Sequence, residues 1–246
     1  MTNHRFFIQP DQISEGQVTI CGPQARQICA VLRLHEGDEI GVLDGSGCCH
    51  IARIGSAKKD QVVAEITDTI AMQTESCVRL TLAQALTKHD KVELVVQKAT
   101  ELGISEMMVF TSERTVPRPA GDRIAHRLDR WRSIAREAAE QSNRASVPSV
   151  DGIISFGDLL RKAPDFDYSL IAWEDETGLL LHEALAKVQP GARVLYIVGP
   201  EGGFSRSEVT EAVSAGVVPI SLGARTLRAE TAAIAGCAVI LHMMEG

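Results

Sequence analysis

The sequence predicts an α/β protein in two parts, a small β-barrel over residues 1–73 followed by an α/β domain with a mostly parallel sheet over residues 74–246. Three observations carry this. The first part holds five short strand-like runs separated by turn signals. Strand and helix patterns alternate after it, and that alternation builds parallel sheets. From Val198 to Thr231, two strand ends then run into glycine turns within one short span. In open α/β sheets, ligands collect where loop backbone meets such strand ends.

Taken in order, the strand runs of the first part are Arg5 to Ile8, Gln17 to Ile20, Glu39 to Leu43, Cys49 to Ile54 and Gln61 to Ile66. Asp44-Gly45-Ser46-Gly47 is a hairpin cue, and one helix is expected around Pro23 to Leu32. Small barrels of this kind are frequent RNA-binding modules, although a fold alone settles no function. The polar interruption Ile70 to Ser76 marks the boundary. Beyond it, Val78 to Ala85 alternates into a strand. Asp90 caps a helix with Val92, Val95, Val96, Ala99 and Leu102 on one face and Gly103 at its end. A strand at Glu106 to Phe110 leads through a basic loop, Ser112 to Ala120, into an arginine-rich helix with the stripe Ile124, Leu128, Trp131, Ala135 and Ala138.

Tyr168 to Trp173 reads as a strand ending in the acidic cluster Glu174, Asp175 and Glu176. Ala192 to Val198 is a buried, β-branched strand that runs straight into Gly199-Pro200-Glu201-Gly202-Gly203. Ser205 and Glu208 then form a capping box opening a helix with Val209, Ala212 and Val213 inward and Gly216 as its stop. Val217 to Leu222 is the last strand, closed by Gly223. Arg225, Arg228, Glu230 and Thr231 precede an apolar helix from Ala232 to Met243. The glycine spacing fails the G-x-G-x-x-G dinucleotide fingerprint, and no phosphate-cradling P-loop motif is present.

At 246 residues and 45% hydrophobic content, the chain can bury a substantial core. No apolar run reaches membrane-spanning length, and MTNHRFFIQP has neither a signal-peptide core nor a transit-peptide composition. A cytoplasmic protein without a membrane partner is expected. The six cysteines show no C-x-x-C spacing and read as reduced residues rather than a disulfide framework. No metal site is expected: His35, His50, His89 and His126 form no ligand pattern. Net charge is −7, yet Ser112 to Arg144 holds eight arginines against five acids, a local +3 that leaves −10 on the rest. An anion-binding face is one reading; a solvated helix face with acids at pairing distance is the other. Lys88, Lys91 and Lys98 read as solvated helix-face charges.

The segments QALTKHDKVELVVQKATELGISEM, FTSERTV, EQSNRASVP, VGPEGGFS and LGARTLRAETA, in this order, resemble the bacterial 16S rRNA (uracil-N3)-methyltransferase family of the SPOUT superfamily. The resemblance spans nearly the full length; RFF and VLRLHEGDEIGVLDG are similar to that family's N-terminal PUA-like barrel. It implies a C-terminal SPOUT α/β domain tied in a trefoil knot over about residues 168–246. It further implies S-adenosyl-L-methionine as cofactor, a homodimer, and 16S rRNA as substrate, within the 30S subunit. The residues it implies for the cofactor are Ile171 and Ala172, then Gly199, Pro200, Glu201 and Gly203, then Leu222, Gly223 and Leu227. Arg225, Arg228 and Glu230 are the implied catalytic residues. For Glu230 a general base, a partner that orients an arginine, and a helix cap are all open. Arg5, Arg33, Arg114 and Arg144 are the expected RNA contacts. Two other functions compete: a SPOUT ribose 2′-O-methyltransferase acting on RNA, and a non-catalytic RNA-binding assembly protein.

Overall fold

The computed structural model of the chain describes residues 4–72, 74–88, 91–116 and 121–244. They divide into two compact units, Met1–Glu75 with Ala139–Val147, and Ser76–Ala138 with Pro148–Gly246.

The first unit contains β1 (Arg5–Phe7), β2 (Ile13–Ser14), β3 (Gln17–Cys21), β4 (Glu39–Leu43), β5 (Cys48–Lys58) and β6 (Gln61–Ala71), with a short helix α1 (Pro23–Arg26) continued by a π turn, Gln27–Val31. The strands form one sheet in the order β1-β4-β5-β6-β3-β2, antiparallel except for β1 beside β4. Among the described residues the predicted barrel is this six-stranded ladder, and no hydrogen-bonded pairing joins β1 to β2. Alternation explains its core. Val18 and Ile20 of β3, Ile40 and Val42 of β4, Ile54 of β5 and Val62 of β6 turn inward onto Phe6 and Ile28. Each such side chain stabilises the unit by roughly 1.5–3 kcal/mol. The turn before β5 is held by Asp44, whose side chain accepts the Ser46 N–H at 3.0 Å. The hairpin β5–β6 runs well past the expected Ile54 and Ile66, with bulges between Ile51 and Ala52 and between Ile54 and Ser56.

In the second unit, strands and helices alternate: β7 (Arg79–Ala85), α2 (Lys91–Leu102), β8 (Glu106–Thr111), α3 (Asp122–Gln141, whose end from Ala139 belongs to the first unit), β9 (Ser149–Ser155), α4 (Phe156–Lys162), β10 (Tyr168–Ala172), α5 (Leu181–Leu185), β11 (Arg193–Val198), α6 (Arg206–Ser214), β12 (Val218–Ile220) and α7 (Ala229–Met244). All six strands are parallel, in the order β12-β10-β11-β7-β8-β9. Phe110, Phe156 and Phe204 pack on one side of the sheet with centroids 5.5 to 6.3 Å apart, beside Leu195 and Ile197. Tyr196 is wholly buried and donates its hydroxyl to the Ala232 carbonyl at 3.0 Å. Helix α7 fits against it because residue 236 is glycine: a Cβ there would lie 2.3 Å from the Tyr196 ring.

Several expectations are corrected here. β9 and α4 lack a clear periodic signal, since Gly152 interrupts the strand; the Ser155–Asp158 capping box was the available cue for the helix. The strand expected over Val217 to Leu222 shortens to β12, an edge strand that tolerates Pro219. Val213 is 52% exposed rather than inward, and α7 begins at Ala229, so Glu230 lies in its first turn. The expected cap Asp90, His89, and Arg118 with the end of the basic loop lie outside the described residues. No described helix is long and apolar enough to cross a membrane.

Candidate active site

β10 lies between β11 and β12, so the parallel arrangement brings three strand ends together. The segments that leave them line a cavity of about 440 Å³, within the ordinary size of a small-molecule site. Eight of the nine residues expected at a cofactor border it: Ala172, Gly199, Pro200, Glu201, Gly203, Leu222, Gly223 and Leu227. Ile171 does not. Its side chain, 0% exposed, packs into the core beside Ile197, and the contact the resemblance implies for it is a main-chain one at the strand end.

The glycines have distinct physical reasons. A Cβ on Gly199 would lie 2.9 Å from the Phe204 ring, and one on Gly203 would lie 2.5 Å from a Glu174 carboxylate oxygen. Gly203 (φ +67°) and Gly223 (φ +106°) also occupy the left-handed region that L side chains rarely adopt. Main chain therefore lines the cavity at Gly199 and Gly203, where a side chain would collide with Phe204 or Glu174. Buried Gln84, at the end of β7, donates toward the Gly199 carbonyl at 3.4 Å. Arg114, exposed on its own loop, donates to the Gly202 carbonyl at 2.8 Å, and the neighbouring Glu113 N–H donates to Glu208 at 2.8 Å. Glu208 also closes the capping box of α6 by accepting the Ser205 N–H. The glycine loop is thus held from both sides.

Of the three expected catalytic residues, Arg225 and Arg228 border the cavity and are exposed. Glu230 does not border it. Its side chain is 14% exposed, and one carboxylate oxygen sits 3.3 Å from the Lys91 ammonium. Lys91 corrects the sequence reading. Rather than a solvated helix charge, it is a cavity residue at the start of α2, 28% exposed and 3.3 Å from Glu201 as well. Lys98 pairs with Glu101 at 2.9 Å. Glu201 is only partly open to water. Burial pushes its carboxyl up, but its own N–H, the Lys88 N–H and Lys91 outweigh that and hold it below the ordinary value. Trp173, Glu174, Phe204 and Ser221 are among the other lining residues, none of them expected at the site; for Trp173 and Glu174, position at a strand end was the available signal.

The expected RNA contacts divide. Arg33 is exposed and holds a φ of 55°, and Arg5 donates to the Asn143 carbonyl at 3.3 Å. Arg144 is a correction. It is 3% exposed and its guanidinium is engaged by Glu75 and Ser146, so its charge is spent inside the first unit. Among the described residues there is no cluster fit to hold a metal ion.

Against known proteins, the RNA methyltransferase domain family matches residues 74–241, and the RNA methyltransferase PUA domain matches residues 20–67. The chain is 33% identical to the ribosomal RNA small subunit methyltransferase E of Bacillus subtilis, over 98% of this chain and 97% of that one. The protein of the same description from Synechocystis is also 33% identical, over 98% and 78%. Among solved structures, the ribosomal RNA small subunit methyltransferase E of Neisseria gonorrhoeae bound to S-adenosyl methionine superposes with a TM-score of 0.87 at 33% identity, covering 98% of this chain and 97% of that one. A Legionella pneumophila chain in complex with the same cofactor gives 0.89 at 29%, covering 99% and 98%. On this full-length likeness, and on the RNA methyltransferase match over most of its length, the chain belongs to the ribosomal RNA small subunit methyltransferase E family.

Proposed function

We propose that this protein uses S-adenosyl-L-methionine to methylate N3 of a specific uridine in 16S rRNA. The observation that carries the reading is the cavity at three parallel strand ends, walled by glycine backbone and bordered by Arg225 and Arg228. The cofactor fits the donor set present. Gly199, Gly203 and Gly223 border the cavity with main chain a flat base can approach, and Glu174 and Glu201 offer carboxylates to a cationic ligand. When bound, S-adenosyl-L-methionine supplies an electrophilic methyl group.

The chain's own residues do the rest. Uracil N3 carries an imide proton that must leave for N3 to take the methyl group; as it leaves, negative charge builds on N3, O2 and O4, and the new N–C bond neutralises it. Arg225 and Arg228, exposed at the cavity, stabilise that charge. Glu230, in the first turn of α7 and paired with Lys91, fixes the chain that carries the two arginines or takes the proton. The target must be unpaired or flipped, because N3 lies on the pairing edge. Holding the base in line with the methyl group supplies much of the rate.

The wider reading assigns residues 1–73 to an RNA-binding PUA-like module and residues 74–246 to the methyltransferase domain. Exposed Arg33 and Arg114 are its best RNA contacts, and partly buried Arg5 is the third. Residues 168–246 are read as a trefoil knot. Strand order supports this: the chain passes from β11 across β10 to β12, then returns in α7 along β11 and β7. A cytoplasmic homodimer acting on the 30S subunit completes the proposal.

Methylation at N3 blocks pairing and stops reverse transcriptase, whereas a ribose 2′-O-methyl group leaves that edge free. Primer extension on 16S rRNA incubated with protein and cofactor should give one new full stop, and its absence would sink the N3 assignment. Calorimetry showing no S-adenosyl-L-methionine binding would instead leave a non-catalytic RNA-binding protein. Running the reaction on naked 16S rRNA and on 30S particles decides the substrate.

A further inference from the structure

We infer that Lys91 is a positioning residue that locks the Glu201 loop and the Glu230 carboxylate against each other; its effect on turnover rests on the function proposed above. The Lys91 ammonium lies 3.3 Å from an oxygen of each carboxylate. That Glu230 oxygen is buried and accepts no hydrogen bond among the described residues, so Lys91 is what compensates its charge. An uncompensated buried carboxylate is costly. Glu201 has a second tie in the Lys88 N–H at 3.1 Å, whereas Glu230 has no other ion pair among the described residues.

The position is otherwise a poor one for a lysine. Lys91 opens α2, where the positive end of the helix macrodipole disfavours a cation. Two carboxylates from separate elements offset that, and each would repel the other if the ammonium between them were removed. The bridge joins the loop after β11 to the first turn of α7, which are two walls of one cavity. Lys91 therefore acts through Glu230 and through it on the placement of Arg228, two residues earlier.

Lys91→Met should lower turnover about tenfold, Lys91→Arg should restore most of it, and the loss should vanish in a Glu230→Gln background. A merely structural role would give the same loss in both backgrounds, and that result overturns the inference. A readout independent of activity uses the free protein. In ¹⁵N-lysine-labelled material the side-chain ammonium signal missing from Lys91→Met should shift in Glu230→Gln and in Glu201→Gln; a signal unmoved by Glu230→Gln also overturns it. Wild-type protein that shows this coupling but binds no S-adenosyl-L-methionine would retain the bridge and lose the proposed function.

Discussion

Two arginine-bearing loops, one in each unit, differ in what stands opposite the guanidinium. After α3, Arg144 meets Glu75, whose carboxylate also accepts the Ala145 N–H at 2.9 Å, the Ser146 N–H at 3.3 Å and the Ser146 hydroxyl at 2.9 Å. After β12, Arg225 and Arg228 are exposed, and among the described residues neither forms an ion pair. Both loops carry family-like motifs, yet one arginine is consumed by folding and the other two are left for a ligand. Position in a motif does not separate these cases; a buried guanidinium paired to a carboxylate of its own unit does. A buried, paired arginine holds backbone in place, and the cost of moving it is high. An exposed one costs the fold almost nothing and keeps its charge available.

The largest effect expected is on the open side of this comparison. Arg228→Ala should lower turnover about 100-fold or more, the size typical of removing one group that stabilises transition-state charge, while cofactor affinity by calorimetry changes by less than about twofold. Equal losses in both would move Arg228 to the cofactor or to the fold and blur the contrast. On the closed side, Arg144→Leu should destabilise the first unit by about 2 kcal/mol in urea, because it removes a buried guanidinium and leaves Glu75 only its hydrogen bonds from Ala145 and Ser146. Cofactor affinity of the folded protein should not move. If Arg144→Leu instead left stability unchanged and weakened rRNA binding, Arg144 would belong with Arg225 and Arg228. Smaller again is Gly203→Ala. The new methyl group meets the Glu174 carboxylate at a φ of +67°, so about 1–2 kcal/mol of strain should appear as weaker cofactor binding. An unchanged dissociation constant would show that the loop relaxes freely.

The same contrast explains what could be read from the sequence. The strand-helix alternation and the glycine turns at Gly199, Gly203 and Gly223 were legible, because backbone conformation and close approach demand glycine locally. β9 was not, since Gly152 breaks its alternation, nor was the contraction around Pro219, which depends on β12 being an edge. Arg144 and Lys91 escaped for a shared reason. Their partners Glu75, Glu201 and Glu230 stand 69, 110 and 139 positions away, so only folding shows that one is buried and the other bridged. Helical spacing gave Lys91 the wrong surroundings, and position in a motif did the same for Arg144.

Acid offers the mildest way to open the closed loop. Burial pushes the Glu75 carboxyl up, but hydrogen bonding and charge from Arg144, with Ser146 and Ala145 behind them, outweigh it and hold the group below the ordinary value. A folded-state pKa lower than the unfolded one stabilises the fold above the ordinary carboxylate range and loses that contribution as pH falls through the folded value. Because the Glu75 side chain is 35% exposed, solvent screening limits its share to about 1 kcal/mol. Wild type should therefore exceed Glu75→Gln in urea stability at pH 7, and the gap should close on acidification below about pH 4.5. A gap that persists into acid would mean that the loop is held by shape and backbone hydrogen bonds rather than by the charge on Glu75. The arginine would then be buried for packing, and the contrast with Arg225 and Arg228 would rest on exposure alone.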